Sequence, residues 1–146
     1  MTTLKGRSVI SGRARGPAMI TRMPVNFTAA LTKPTNAIPG RRAVVKDRHH
    51  DLFKKNLKGT VLIFPACIGS TYTGMLLLEL MHARSAPVAI IVQRADPLLV
   101  SGTVLADVWY DRGIPVVEYE SDDIYEKIRT GQNVEVDGET GEIKVL

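Results

Sequence analysis

The chain has 146 residues, of which 45% are hydrophobic and 23% charged, and its formal net charge is +4. This length lets one domain bury roughly 70% of its unfolded surface, and this composition excludes disorder, collagen-like repeats and simple coiled coils. We therefore expect one domain, residues 1–146. The single cysteine, Cys67, excludes an internal disulfide and gives the chain too few ligands to hold zinc or an iron–sulfur cluster alone. This cysteine usage indicates a reducing compartment.

The N-terminal third is expected to combine β structure with irregular chain. Residues 9–20 alternate irregularly through Ser11-Gly12-Arg13-Ala14-Arg15-Gly16-Pro17, which predicts a strand, a glycine turn and a returning strand over residues 18–21, as a hairpin or a sharp bend. Residues 23–58 have little sustained periodicity, and prolines interrupt them repeatedly. An irregular stretch of this length either wraps a sheet edge or lies against another molecule.

Residues 59–92 predict a β-α-β unit. The apolar run over residues 61–64, bounded by glycine and proline, is typical of a strand buried on both faces. Residues 71–84 are rich in Leu and Met and predict a helix packed on more than one side, with Ser70 as its N-cap. Residues 88–92 predict the next buried strand, parallel to the first and joined to it by a right-handed connection.

The C-terminal half repeats this pattern and then changes to antiparallel structure. Residues 97–109 predict a short helix interrupted near Ser101-Gly102, residues 114–119 a third strand, and residues 122–129 an amphipathic helix. Residues 134–145 alternate apolar and polar side chains around an Asp-Gly turn, which predicts a hairpin. The fold class is therefore α/β, with a parallel core between β-ribbons at both ends.

Charge and hydropathy bear on possible partners. Residues 5–48 are basic and residues 118–142 are mostly acidic, but the cations stand singly and aromatic residues are only 5%. The sequence contains no helix with a basic stripe and no set of aromatic residues on which bases could stack, so we expect no nucleic-acid partner. The basic face is expected to be solvated or to meet an acidic partner or substrate. No apolar run approaches the roughly 20 residues of a membrane span, and no signal-peptide core is evident, so the expected location is the cytoplasm.

The loop between the first buried strand and its helix is the best candidate for chemistry, because ligands of α/β sheets bind beyond the carboxyl ends of the strands. Gly69 allows close backbone approach and Ser70 supplies a hydroxyl. The amides of Thr71, Tyr72 and Thr73, together with the helix dipole, favour a carboxylate, phosphate or oxyanion. The alternative is that Ser70 only caps the helix.

Two common enzyme motifs are incomplete in this loop. Gly69 and Gly74 have the spacing of a phosphate loop, but Met75-Leu76 follows in place of Lys-Ser/Thr, which argues against a nucleotide triphosphatase. The Gly-x-Ser-x-Gly pattern of a hydrolase nucleophile is absent as well.

Other polar residues have simpler interpretations. Residues 47–51, Asp-Arg-His-His-Asp, suggest a surface turn or interface rather than a metal site, because adjacent histidines on extended chain point to opposite sides. His82 is expected to face the C-terminal end of a helix dipole, and Cys67 to pack as a small hydrophobic residue. Asp96 suits a helix cap, while Asp107 and Asp111 are either solvated or part of the crevice.

Several segments, in this order and spacing, resemble one known family. The segments are Asp47-Arg48-His49-His50, Leu57-Lys58-Gly59, Phe64-Pro65, Gly69-Ser70, Leu77-Leu78-Glu79-Leu80, Ala86-Pro87-Val88-Ala89 and Gly113-Ile114-Pro115-Val116-Val117. They resemble the small subunit, or swivelling domain, of the aconitase X proteins, over most of the chain.

The resemblance implies a three-layer β/β/α swivelling domain with a small parallel βαβ core and flanking antiparallel hairpins. It implies an aconitase-like large subunit as partner, which holds an iron–sulfur cluster, while this chain binds no metal. By position Ser70 corresponds to the base that removes a proton beside the leaving hydroxyl. Gly69, Thr71, Tyr72 and Thr73 are then expected to contact a small hydroxy acid.

Departures from the family pattern bear on the substrate. Thr71, Tyr72 and Thr73 stand where the family carries smaller residues, and residues 66–68 carry no cation where some relatives have Arg and Lys. Loss of this charge argues against a phosphorylated substrate, so the expected reaction is dehydration of cis-3-hydroxy-L-proline to a pyrroline carboxylate. The alternatives are a phosphomevalonate dehydratase small subunit, or a non-catalytic swivelling, carrier or scaffold module. A phosphocarrier would place a histidine in the loop, where this chain has Ser70.

Overall fold

The structure is a computed structural model that describes residues 2–31, 42–69 and 72–146. Within these ranges it contains eight strands and four helices. In chain order they are β1 (Thr2–Lys5), β2 (Arg7–Ile10), β3 (Arg13–Ile20), α1 (Phe27–Leu31), β4 (Val61–Phe64), α2 (Thr73–His82), β5 (Ala89–Val92), α3 (Pro97–Tyr110), β6 (Val116–Glu118), α4 (Ile124–Lys127), β7 (Asn133–Asp137) and β8 (Glu142–Val145). None of the described helices is long and apolar enough to span a bilayer.

The strands pair in the order β1-β8-β7-β3-β4-β5-β6-β2. Strands β3 to β6 are parallel neighbours, whereas β1, β8, β7 and the first half of β3 form antiparallel pairs. β1 and β2 lie at opposite ends of this order, yet only Gly6 separates them along the chain. The N-terminal segment therefore closes the sheet, and Gly6 N–H donates to Gly141 O at 2.8 Å at the junction.

Two hydrophobic clusters divide the molecule into three layers. Side chains of β4 alternate between them: Val61 and Ile63 face the antiparallel strands, while Leu62 and Phe64 face the helices. All four are essentially inaccessible to solvent, as expected for the middle layer. This arrangement confirms the β/β/α architecture with a parallel core.

The predicted β-α-β unit and C-terminal hairpin are confirmed. β4 and β5 pair in parallel from Val61 opposite Ala89 to Phe64 opposite Val92, with α2 between them in the chain. β7 and β8 pair in antiparallel register. The predicted helix over residues 122–129 is the single turn of α4.

Of the hairpin or sharp bend predicted for residues 9–21, the bend is confirmed and the hairpin is wrong. The chain turns at Gly12, whose φ is +124°, within the predicted turn segment. β2 pairs with β6, whereas β3 is one eight-residue strand that starts at Arg13 and pairs first with β7 and then with β4. Gly16 lies inside β3, and glycine is required there because a Cβ would overlap Gly59 O. Pro17 marks the point where β3 changes its neighbour from β7 to β4.

The interruption predicted near Ser101-Gly102 is also wrong, since α3 continues through both residues. Gly102 is buried against Gly74 of α2, and a Cβ on Gly102 would lie 2.9 Å from the Gly74 Cα. The glycine that suggests a break therefore permits a close helix crossing, and the helix pair gains packing that offsets the low helix propensity of glycine.

Described parts of the irregular stretch lie against the helical side of the sheet. α1 lies here, while residues 32–41 are outside the described residues. The buried apolar side chains of the stretch join the helix-side core; they are Val25, Phe27, Ala30, Leu31, Ala43, Val45, Leu52 and Leu57. The stretch therefore contributes much of the core on that side.

Candidate active site

The carboxyl ends of β3, β4, β5 and β6 meet at one edge of the parallel sheet. Residues 21–26, 65–69, 93–96 and 119–123 follow these strands, and α2 begins at the same edge. Polar groups from separate parts of the chain are thereby gathered in one place, as is usual for ligand sites of α/β sheets.

Backbone hydrogen bonds fix the loop after β4 to the segment after β3. Val25 N–H donates to Ala66 O at 3.0 Å, and Ile68 N–H donates to Val25 O at 3.0 Å. Val25 and Cys67 form a parallel bridge. The loop is therefore held along residues 66–68, immediately before the positions of the predicted site.

Gly69 occupies a conformation that side chains rarely adopt. Its φ is +88°, and a Cβ placed on it would overlap Asn26 Nδ2 and lie 3.1 Å from Asn26 Cγ. Both observations explain why glycine stands here. Asn26 is a neighbour of the loop that sequence reasoning missed, because nothing local links it to residue 69.

The structure places the predicted site residues unevenly. Ser70 and Thr71 lie outside the described residues, so their catalytic and binding roles stay predictions. Tyr72 is 62% exposed, whereas Thr73 is 2% exposed, so of these two residues only Tyr72 is accessible to a substrate in this chain. Ser70 is not the N-cap of α2, because the helix begins at Thr73 with Tyr72 in the cap position.

An open groove adjoins the start of α2. It has a volume of about 370 Å³ and is lined by Thr28, Tyr72, Met75, Leu76 and Glu79. Met75 is 59% exposed, so this side of the loop presents apolar as well as polar surface.

Two arginines bring positive charge to the edge. Arg22 follows β3, and its guanidinium lies 4.9 Å from the centre of the Tyr125 ring. Tyr125 Oη donates to Gln93 Oε1 at 2.7 Å, which fixes the ring. Arg94 follows β5, and its backbone N–H donates to Pro65 O at 3.0 Å. Sequence reasoning missed both, although each stands just after a strand end, where functional side chains are expected.

Glu118, at the end of β6, links several elements at this edge through hydrogen bonds. It is 8% exposed, and its carboxylate accepts from Arg7 Nε at 2.9 Å and from Ala95 N–H at 2.8 Å. These bonds join β2, β6 and the turn after β5. Since both carboxylate oxygens are engaged by the protein, the arrangement gives Glu118 a structural role.

Cys67 is partly buried and packs against the helix-side core. Burial, and secondarily the negative charge of Asp96, raise the pKa of the thiol to about 12.

Asp96 itself caps α3, with its carboxylate accepting from Leu99 N–H at 2.9 Å, as predicted. Asp107 and Asp111 are exposed, which favours the solvated interpretation.

The histidine-containing segment forms a turn. His50 is buried, with Nε2 3.1 Å from Pro24 O and Nδ1 accepting from Leu52 N–H at 3.1 Å. His49 is exposed, so the two rings face different surroundings. No group of three or more metal-ligating side chains occurs among the residues described.

His82 lies in the last turn of α2 and packs against Tyr110, with 4.1 Å between the two ring centres.

Comparisons with known proteins give consistent matches over nearly the whole chain. The sequence model of the aconitase X swivel domain matches residues 3–145. The chain is 34% identical over 142 residues to the phosphomevalonate dehydratase small subunit of Methanocella arvoryzae, covering 97% of this chain and 98% of the relative. It is 33% identical to the protein of that name from Thermococcus sibiricus, covering 97% of each.

A solved structure has the same fold. The crystal structure of Thermococcus kodakaraensis aconitase X in its holo form superposes with a TM-score of 0.83 at 30% identity, covering 100% of this chain and 99% of that one.

Proposed function

Because the chain belongs to the aconitase X swivel-domain family, whose members here are dehydratase small subunits, we propose that it completes a hydro-lyase active site with an aconitase-like large subunit and supplies Ser70 as the base. The match over residues 3–145 carries this proposal. Support from the structure is positional: Gly69 ends a fixed loop at the carboxyl edge of the parallel strands, directly before Ser70.

In the proposed reaction, Ser70 Oγ takes a proton from the carbon adjacent to the hydroxyl-bearing carbon. The electron pair of that C–H bond forms the double bond as the C–O bond breaks and hydroxide departs. The hydroxide becomes water by taking up one proton from solvent, and the proton left on Ser70 is returned to solvent, so no proton is gained or lost overall. A neutral serine is a weak base, so the reaction needs groups that stabilise the alkoxide, and the nearby start of α2 offers the positive end of a helix dipole.

We assign the iron–sulfur cluster of the family to the large subunit. The described residues contain no set of three ligands that would fit a metal, and the one cysteine has a pKa of about 12 and faces inward. When bound in the partner, such a cluster would supply a Lewis acid for the leaving hydroxyl. The groups supplied by this chain are the base and the residues that hold it.

Phosphomevalonate is the first candidate substrate. Relatives that cover 97% of the chain carry the name phosphomevalonate dehydratase small subunit. Arg22 and Arg94 at the site edge suit a substrate with two anionic groups, a phosphate and a carboxylate. This reverses the order expected from the loop sequence alone.

The second candidate is cis-3-hydroxy-L-proline. One observation favours it: residues 66–68 are Ala-Cys-Ile, so the loop itself carries no cation for a phosphate. Tyr72 would then narrow a pocket for a smaller ring substrate, since its side chain is exposed beside the loop.

Co-expression with the large subunit encoded by the same organism tests the proposal. The complex is purified without oxygen and assayed with each substrate, as wild type, Ser70→Ala and Ser11→Ala. Ser11 is a matched control, because it is exposed and follows Ile10, whose partner Val116 begins β6 at the opposite edge. We expect turnover of phosphomevalonate, retained by Ser11→Ala and reduced at least about 10³-fold by Ser70→Ala.

The other outcomes separate the alternatives. Turnover of hydroxyproline alone moves the assignment to the second candidate. A stable complex that converts neither compound rejects both substrates, and equal activity of wild type and Ser70→Ala rejects the base. Failure to form a complex rejects the subunit role and favours a carrier or scaffold.

A further inference from the structure

We propose that Asn26 is a positioning residue of this site, whose side-chain amide holds the turn at Gly69, the residue directly before Ser70 in the chain. The inference rests on the proposed role of Ser70. Asn26 belongs to a different segment of the chain, and its contact with the loop is a product of the tertiary fold.

The orientation of the Asn26 side chain is determined by α1. Its Oδ1 accepts from Ala29 N–H at 3.1 Å, and its backbone carbonyl accepts from Ala30 N–H at 2.9 Å, so Asn26 is the N-cap of the helix. With the oxygen engaged in this way, the amide nitrogen is the atom that faces Gly69.

Contact with Gly69 leaves no space for a side chain there. A Cβ at position 69 would overlap Asn26 Nδ2 and lie 3.1 Å from Cγ, so the amide rests on the Cα of the residue before Ser70. Gly69 is exposed and has a φ of +88°, so its own side of the turn is not packed by a side chain. Packing of the amide limits the movement of this turn from one side.

Asn26 is itself held rigidly. Its neighbour Val25 makes the two backbone bonds to the loop, and its other neighbour, Phe27, is fully buried with its ring 5.6 Å from that of Phe64 in β4. The strand that precedes the loop thus supports the residue that contacts the end of the loop. A base must be held to within about 1 Å, because displacement of that size costs on the order of 100-fold in rate.

Substitution with aspartate separates positioning from simple capping. Asn26→Asp keeps the shape and the capping oxygen, since Asp caps helices as well as Asn does, but it replaces the NH₂ donor facing Gly69 with a carboxylate oxygen. In the complex we expect kcat to fall about 10–100-fold with KM changed less than about threefold and the melting temperature unchanged. Wild-type kcat in Asn26→Asp would show that Asn26 is only a cap.

A matched control and a second substitution complete the kinetic test. Asn133→Asp makes the same chemical change at an exposed position on β7 and is expected to leave kcat unaltered. Gly69→Ala should lose activity as well, because a Cβ there would overlap Asn26 Nδ2 and a side chain rarely adopts a φ of +88°. An equal loss of kcat in Asn133→Asp and Asn26→Asp would contradict the positioning role.

A second readout is independent of turnover. Hydrogen exchange of the Ile68 backbone amide, which donates to Val25 O, is measured by NMR on the chain in its wild-type, Asn26→Asp and Asn133→Asp forms. We expect loss of protection in Asn26→Asp alone, and unchanged protection would overturn the inference. If the wild-type complex turns over neither substrate, the proposed function fails while this measurement still decides the role of Asn26.

Discussion

At the residue scale, the loop after β4 shows how burial determines which side chains are chemically available. Cys67 lies in the middle of the loop, but it points into the protein beside the helix-side core. Burial first, and the charge of Asp96 second, disfavour its thiolate. Tyr72, a few residues further along, is mostly exposed. The exposed Gly69 and the exposed Tyr72 are therefore what the described part of the loop offers to a ligand.

Cys67 is expected to resist alkylation in the folded chain. A pKa of about 12 leaves the thiol protonated at neutral pH, whereas an unfolded cysteine ionises near pH 8.5. At pH 8, iodoacetamide should react at least about 100-fold more slowly with the folded chain than with the chain in urea. Mass spectrometry measures both rates, and similar rates would contradict the inward position.

The sign of the pH effect follows from the direction of the shift. The pKa of Cys67 is raised on folding, so the protonated thiol is the form that the folded state favours. Its contribution to stability is fully present below about pH 8.5 and is lost progressively as the pH rises towards 12. The alkylation rate of the folded chain should accordingly keep rising with pH above 9.

At the element scale, the close crossing of α2 and α3 depends on two glycines. Gly74 and Gly102 face each other, and a Cβ on Gly74 would lie 3.0 Å from Leu98 O. Glycine lowers the helix propensity of α3 by about 1 kcal/mol relative to alanine, so propensity alone misjudges this segment. Because α2 begins at the candidate site, the crossing also sets where its first turn lies.

Gly102→Ala is expected to destabilise the protein despite the better helix propensity of alanine. A Cβ at this position would lie 2.9 Å from Gly74 Cα and overlap Gly74 O, so the helices must separate. The free energy of unfolding, measured by urea denaturation, should fall by about 1–3 kcal/mol.

Val104→Ala, at an exposed position of the same helix, serves as the control and should change the free energy of unfolding by less than about 0.5 kcal/mol. Stabilisation by Gly102→Ala would show that the helices are not in close contact.

At the scale of the whole molecule, the N-terminal segment joins the two ends of the sheet. β1 pairs with β8 and β2 pairs with β6, with Gly6 at the crossover. A Cβ on Gly6 would lie 2.7 Å from Glu118 O, so the strands approach closely there. Closure leaves fewer open sheet edges, and it also brings Arg7 to the buried carboxylate of Glu118 at the site edge.

Gly6→Ala should weaken this closure. The added methyl group must displace Val117 or the backbone at Glu118, and we expect a loss of about 1–3 kcal/mol in the free energy of unfolding. Lys5→Ala, an exposed neighbour, is the control and should change stability by less than about 0.5 kcal/mol. Equal effects of the two substitutions in urea denaturation would contradict a tight junction at Gly6.

The sequence by itself determined the elements whose signals are local. The apolar run of β4, the following helix, the next strand and the Asp-Gly hairpin were all predicted, because strand burial, helix periodicity and turn chemistry act over a few residues. The family resemblance likewise depended on short motifs in a fixed order, and the comparisons confirm it. The loop that ends at Gly69 lies at the carboxyl edge of the parallel strands, as the same local pattern predicts.

Only the tertiary structure decided features that depend on distant neighbours. β3 runs straight through Gly16-Pro17 because it pairs with different strands on either side, and α3 continues through Gly102 because α2 lies against it. The placement of Asn26 against Gly69, and of Arg22 at the site edge, likewise requires segments far apart in the chain to meet. Long-range packing energies outweigh local propensities at these positions, so no short window of sequence contains the information.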